Sequence, residues 1–401
     1  MAPRDLREHF FAGKVPADEL RIVLLDHFGQ VISEEETIVY QRDQEDALAI
    51  LYSKKGSILD IKPRAAFRDT DLDEIRKKIE ESILPPGQRK IRRELLFSSV
   101  PVTGAWRYRD QFQILPAPAN VPRPPWPIGD HPFVLEVPFL GSIDSTIAVV
   151  RAQRCVDEVA LVLAGLLPSI KGRLQDGQQE WAILLEGGET QRSRWVQRTY
   201  AFENFQHQTE HFTEIDAPPI ERIDDSVFYD GVHTIPGGGG DALDLPESIE
   251  LLLQRVENLG VDRRSRFLRW SHWLSLSRQS SGLSSSFAYL ASIQAIEALQ
   301  RRVSNPQCTT CGQELPPGPT GRFADFLDRL VPRQDGETEK ERKKLYALRS
   351  SLTHGRAILE SDLASGWGSF HPSWIDESRA SRYASQLARL AGVNWLLEDG
   401  E

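Results

Sequence analysis

Four consecutive glycines, Gly237 to Gly240, follow Ile235-Pro236 and precede Asp241 in a chain of 401 residues. Glycine loses more conformational freedom on ordering than any other residue, so no regular helix or strand is expected to run through them. A phosphate-cradling glycine loop is excluded, because no Gly-Lys-Ser/Thr ending follows and no strand or helix start flanks the run. Residues 236–245 therefore read as a flexible linker between two parts of different character.

The part before it, residues 1–235, reads as an α+β region. Short runs rich in Val, Ile, Thr and aromatics are expected as strands at Arg21–Leu25, Thr37–Tyr40, Phe133–Leu140, Thr146–Arg151, Trp181–Glu186 and Arg194–Phe202. Asp71–Ile83 is expected as a charged helix, and Val156–Leu167 as a buried helix or strand that periodicity alone does not separate. Leu115–Pro127 is rich in proline and reads as an extended surface loop, and the Glu-Gly-Gly-Glu at 186–189 as a hairpin turn.

Residues 246–401 read as an all-α helical bundle. Apolar residues recur at helical spacing in Glu247–Asn258, Arg263–Ser277, Ser284–Val303, Arg322–Leu330, Glu337–Leu359 and Ile375–Leu397. Short connections between such helices favour antiparallel packing.

Composition sets limits on function. Hydrophobic residues make up 40% and charged residues 26%, which is ordinary for a globular protein and argues against wholesale disorder. The longest uninterrupted apolar stretch, Val159–Leu167, is far short of the ~20 residues a membrane-spanning helix needs. No signal peptide is visible, and three cysteines cannot build a disulfide framework, so the cytoplasm is the expected compartment. The net charge of −10 disfavours a protein that coats nucleic acid non-specifically. The charge is uneven, however. Residues 241–360 hold 17 basic against 15 acidic side chains, so the acidity lies elsewhere. Within that stretch Arg263, Arg264, Arg266 and Arg269 accompany Trp270 and Trp273, and Lys340, Arg342, Lys343 and Lys344 precede Arg349. Basic residues interleaved with aromatics can hold single-stranded RNA; a solvated helix face is the plainer reading.

The most informative segment is Arg349-Ser350-Ser351-Leu352-Thr353-His354-Gly355. It lies on an amphipathic helix whose Leu345, Leu348 and Leu352 are expected to face inward, leaving Arg349 and His354 on the flanks. Five residues correspond to about 140° around the axis, so the pair converges only at a helix end or across a symmetric contact. Upstream lie Ser286–Leu299, ending in Glu297-Ala298-Leu299, and the run from Thr320 to Pro332.

This order of motifs, over roughly residues 246–400, resembles the ApeA-like branch of the HEPN superfamily; residues 1–235 resemble no family we recognise. The resemblance implies a metal-independent endoribonuclease that works as a homodimer, with two Arg-x4-His motifs facing one composite cleft and no cofactor for catalysis. It also implies a toxin or antiphage-defence effector, with residues 1–235 sensing a trigger molecule or a regulatory protein. Carried onto this chain, His354 would act on the RNA 2′-hydroxyl or the leaving oxygen, and Arg349 would hold the scissile phosphate. Glu297 would be the acidic member of the site. Ser350 stands where many active members carry Asn, Asp or His, and it can still donate or accept a hydrogen bond. Lys343, Lys344 and Arg356 would contact RNA. The competing readings are a catalytically inactive dimerisation or RNA-binding bundle, and a ligand receptor or enzyme in the N-terminal region.

Cys308-Thr309-Thr310-Cys311-Gly312 is half of a zinc ribbon by spacing. Cys308 and Cys311 could hold a structural zinc if a second protomer or a histidine such as His371 completed the ligand set; a redox pair or two free thiols are the other readings. His207 and His211, at i and i+4, would suit a metal only on a helix, and a surface segment is the expectation there.

Overall fold

A computed structural model describes residues 6–11, 13–34, 37–53, 57–85, 87–121, 131–172, 179–186, 192–199, 205–230, 242–281, 283–301, 318–333, 339–363 and 372–398. The chain divides into two compact units: residues 1–92, 137–156 and 207–212, and residues 93–136, 157–206 and 213–401.

In the first unit, helices α1 (Leu6–His9) and α2 (Ala17–Phe28) precede an antiparallel meander of β1 (Gln30–Glu34), β2 (Thr37–Arg42), β3 (Glu45–Tyr52) and β4 (Ile58–Pro63), followed by helix α3 (Asp69–Ser82). Leu20, Val23, Leu24 and Phe28 of α2 and Ile75 and Ile79 of α3 share one core with Tyr40, Leu48 and Ile50 of the sheet. Arg21–Leu25, expected as a strand, thus lies in a helix. Its apolar positions continue at helical spacing to Phe28, and the buried stripe decides the outcome over the β-branched run.

Further along come β5 (Arg89–Ser98), β6 (Trp106–Tyr108), β7 (Phe112–Pro116), β8 (His131–Leu140) and α4 (Ser145–Leu166). Then follow β9 (Ile170–Gly172), β10 (Gln179–Glu186), β11 (Arg192–Thr199) and the two-residue β12 (Gln208–Thr209). In the second unit β6 and β7 form a hairpin that β8 extends, and β9 pairs with the end of β5. β10 and β11 pair antiparallel from Gln179↔Thr199 to Glu186↔Arg192, and most of the expected hairpin turn, residues 187–189, lies outside the described residues. Thr146–Arg151, also expected as a strand, is the start of α4, whose Ile147 and Ala152 are buried. The Val156–Leu167 segment is the helical continuation of α4 as far as Leu166.

The rest of the second unit begins with β13 (Arg222–Ile223), α5 (Asp225–Asp230) and β14 (Leu245–Pro246), which pairs parallel with β13. Of the expected linker, residues 236–241 lie outside the described residues, while Leu243 and Leu245 are buried. From there on the described elements are all helices: α6 (Ile249–Glu257), α7 (Val261–Ser280), α8 (Ser285–Leu299), α9 (Pro319–Leu330), α10 (Glu339–Thr353), α11 (Glu360–Leu363) and α12 (Pro372–Leu397). The protein therefore has a β-rich N-terminal region and a helical C-terminal region.

Helix α8 is the hub, packed by α7, α10, α11 and α12. Ser277 of α7 and Ser292 of α8 share a hydrogen bond of 2.8 Å, so small polar residues let these two helices approach closely. Trp270, fully buried in α7, donates from Nε1 to the Ala388 carbonyl of α12 at 2.8 Å. Its ring occupies the space that a Cβ on Gly392 would take, at 2.0 Å, and one on Gly165 would reach ring atom Cζ3 at 2.8 Å. The α4 carboxyl end is closed by Arg278, whose Nη1 donates to the carbonyls of Ala164 (2.7 Å) and Pro168 (3.2 Å). Burial, and then the Arg389 guanidinium, push the Arg278 side chain down to about 9.

Candidate functional site

Helix α10 carries the Arg349 to His354 segment, and its neighbours are α8 and α9. Leu345 and Leu352 are buried and Leu348 is half-buried, so the apolar stripe faces the bundle as its spacing predicts. Arg349, half-buried at the edge of that stripe, reaches the carboxylate of Glu297 in α8, with Nη2 3.0 Å from Oε2. The other oxygen, Oε1, accepts the Tyr346 hydroxyl at 3.1 Å. Tyr346 and Arg349 are three residues apart on one helix face, and the guanidinium carbon lies 5.4 Å from the phenol ring centroid. Phe323 of α9 packs against the same ring at 5.1 Å.

Three groups from two helices therefore fix one another: a carboxylate, a phenol and a guanidinium. Burial raises the Tyr346 phenol, and the Glu297 charge adds to that, so Tyr346 serves as a neutral hydrogen-bond donor. The Arg349 Nε is shielded from solvent and has no hydrogen-bond partner among the described residues.

His354 sits where α10 ends. The amide of Gly355 donates to Leu352 O at 3.1 Å and that of Arg356 to Ser351 O at 2.8 Å, while Gly355 takes φ +65°. This is a Schellman closure with Gly355 at the left-handed position, and it makes His354 the capping residue of the helix. The closure also ends the helix at Thr353, short of the expected Leu359. His354, Gly355 and Arg356 are exposed, and no side-chain hydrogen bond or ion pair engages the imidazole among the described residues. Ser350, half-buried, accepts the His354 amide through its carbonyl at 3.1 Å.

The chain after the turn is held back onto α8. Asp362 accepts from Ser284 Oγ at 2.9 Å and from the amides of Ser285 (2.6 Å) and Ser286 (2.9 Å), capping the start of α8. Burial acts against the Asp362 charge, but the hydrogen bonds from Ser286, Ser284 and Ser285 outweigh it and keep its pKa below the ordinary value. The segment bearing His354 is thus tethered at both ends.

Lys343 and Lys344 are exposed on α10. Arg342, counted with them in the sequence as part of a basic run, is fully buried, with Nη1 2.8 Å from Asp328 Oδ1 and 2.6 Å from the Val331 carbonyl. It holds α9 to α10 and offers no surface charge. The Arg263–Arg269 cluster is likewise rearranged. Trp270 is core, and the ring that meets the arginines is Trp395 of α12, 4.6 Å below Arg263 and 5.5 Å below Arg266. Arg264 pairs with Glu158 instead.

Tyr346 and Trp395 were not legible as site residues. The Tyr346–Arg349 spacing of three is the signal that could have found the first; for Trp395, over a hundred residues from Arg263, none exists in the sequence.

Cys308, Cys311 and His371 lie outside the described residues. His207 and His211 flank the short β12 and are exposed, so the helical spacing that would bring them together is missing. Among the described residues one carboxylate–histidine group could be read as a cation site: His27, Asp71 and Glu74 of the first unit. Its centre is already taken. Arg42 Nη2 lies 2.8 Å from Asp71 Oδ1 and 3.1 Å from His27 Nε2, and Arg42 Nη1 lies 3.0 Å from Asp71 Oδ2. The Arg68 amide donates to Oδ2 at 2.7 Å. A guanidinium inside the donor set repels a metal ion, and the cluster acts as the cap of α3.

Compared with protein-family models, with curated proteins and with solved structures, the chain has no significant match.

Proposed function

We propose that the protein is a metal-independent endoribonuclease of the HEPN type, in which Arg349 and His354 of two protomers line one composite cleft. The observation that carries this reading is the division of α10 into a fixed cation and an exposed imidazole. Arg349 is oriented by Glu297 and Tyr346, and His354 stands on a closed, tethered turn with its ring open to solvent.

The chemistry follows from those two groups. The substrate 2′-oxygen attacks the adjacent phosphorus, the 2′-proton passes to a His354 imidazole, and the bond from phosphorus to the 5′-oxygen breaks as that oxygen gains a proton. The products are a 2′,3′-cyclic phosphate and a 5′-hydroxyl. Arg349 supports the additional negative charge on the phosphoryl oxygens; a planar, permanently charged fork suits that task. Exposed Lys343, Lys344 and Arg356 supply backbone contacts on either side of the motif. Such an enzyme would serve as a toxin or antiphage-defence effector, gated by the N-terminal region. Cys308 and Cys311 would take a structural role, with zinc as one occupant.

A second reading has one observation in its favour. Glu297 already neutralises Arg349, which suits a bundle that binds RNA or dimerises without cutting it. Matched RNA and DNA strands incubated with the protein in EDTA separate the two. The nuclease reading predicts cleavage of RNA alone, leaving cyclic phosphate ends, by a protein that is dimeric in light scattering. Intact RNA would support the second, and a monomer at micromolar concentration would count against the composite cleft.

A further inference from the structure

The four-stranded sheet of the first unit has two edge strands, β1 and β4, and side chains close one of them. On β4 the Leu59 carbonyl accepts Arg7 Nη1 at 3.3 Å, the Ile61 amide donates to Asp60 Oδ1 at 2.9 Å, and Pro63 has no N–H to offer. Backbone groups that a neighbouring strand would need are thereby occupied, which protects a sheet edge from further pairing. Helix α1 also lies against β4.

β1 has none of these devices, and it carries no proline, lysine or arginine. Its register with β2 runs without a shift from Gln30↔Gln41 to Glu34↔Thr37, with two residues between the strands. Where two residues join antiparallel strands, the flanking pair exchanges both backbone hydrogen bonds, and the pattern then alternates along the ladder. Gln30, Ile32 and Glu34 therefore bond to β2, while the amides and carbonyls of Val31 and Ser33 point away from the sheet. No hydrogen bond among the described residues engages those outward groups. Val31 packs on the core of the unit, and Ile32 and Ser33 are exposed. The charge around this edge is one-sided. Residues 26–46 hold seven acidic side chains and one basic, Arg42, which is committed to Asp71 at 2.8 Å. Lys78 offsets Asp26 at 2.5 Å across an exposed contact. A second copy of the chain would bring the same acidity to the joint and be repelled, whereas a basic segment is drawn in.

We propose that the outer edge of β1 takes up an extended, basic segment of a partner protein as a further strand of this sheet. The segment places a β-branched side chain opposite Ile32 and a lysine or arginine beside Glu34. Strand addition of this kind draws its affinity from main-chain hydrogen bonds, here to Val31 and Ser33, and its selectivity from side chains at alternate positions. The proposal does not depend on the nuclease reading.

A displayed library of random nine-residue peptides, selected on the full-length protein, tests it. Selected sequences are expected to be rich in Lys, Arg and β-branched residues and free of interior proline. A synthetic peptide of the commonest sequence should slow hydrogen exchange at residues 30–34 and leave residues 58–63 unchanged. Ser33→Pro removes an outward amide and spares the ladder to β2, so it should weaken the peptide about tenfold or more while the melting temperature holds. Should that variant fail to fold, Glu34→Lys should weaken it about threefold through charge. An empty selection, acidic or proline-rich winners, exchange protection away from residues 30–34, or affinity indifferent to these substitutions would each overturn the proposal. Protection of residues 30–34 that rises with protein concentration in the absence of peptide would also overturn it, and would assign the edge to a second copy.

Discussion

Arg349 Nη2 lies 3.0 Å from Glu297 Oε2, and the remaining oxygen of that carboxylate holds the Tyr346 hydroxyl at 3.1 Å. The pair joins α10 to α8 at a half-buried position, where a charge-assisted hydrogen bond both orients and stabilises. If Arg349 works on a phosphate, Glu297 is the residue that aims it.

Glu297→Gln keeps the shape and removes the charge. Cleavage of RNA should fall about 10- to 100-fold, through kcat more than KM, with Glu297→Asp recovering part of the loss. Steady-state kinetics on a short RNA check this. Unchanged kcat would reduce Glu297 to a helix-packing contact worth about 1 kcal/mol.

Gly355→Ala tests the turn that presents His354. No atom stands within 4 Å of the added Cβ, so the penalty is conformational, from the left-handed φ of +65°. A loss of about 1 kcal/mol is expected in urea unfolding, with a larger relative loss of cleavage as the His354 cap rearranges. An unchanged midpoint would mean that the Schellman closure contributes nothing.

Gly392→Ala probes the bundle core. Its Cβ would fall 2.0 Å from Trp270 ring atoms that are fully buried and hydrogen-bonded to α12, so the ring cannot step aside. Destabilisation of about 3 kcal/mol is expected from the denaturation midpoint. A variant of wild-type stability would contradict the close α7–α12 contact.

Asp71 sets an acid limit on the first unit. Burial opposes its charge, but hydrogen bonds from Arg42, the Arg68 amide and His27 win and take its pKa down to about 2 from an ordinary 3.8. The folded state therefore binds fewer protons there than the unfolded one. About 2 kcal/mol of stability should be present above pH ~4 and lost as pH falls toward 2. Asp71→Asn should be less stable at neutral pH and lose this part of the acid dependence, as followed by far-UV circular dichroism. Parallel acid curves for the two proteins would contradict the assignment.

The C-terminal helices were legible because their apolar stripes run for ten residues or more, as in α8 and α9. Short windows failed where they were lifted out of longer elements. Arg21–Leu25 and Thr146–Arg151 look like strands in isolation, and the helical repeat shows only when Phe28 or Ala152 is included. At the candidate site Arg349, Glu297 and His354 were visible as residue types in order. The role of Tyr346, the burial of Arg342 and the stacking of Arg263 and Arg266 on Trp395 depend on which helix faces which. That information is tertiary, and spacing within one helix does not carry it.

The most direct measurement is single-turnover cleavage of a defined RNA in EDTA by wild type, Arg349→Ala and His354→Ala, with product ends read by mass spectrometry. Wild type is expected to leave 2′,3′-cyclic phosphate, and each variant to lose activity by about 100-fold or more while retaining its fold. Cleavage by His354→Ala at the wild-type rate would contradict the assignment of the site.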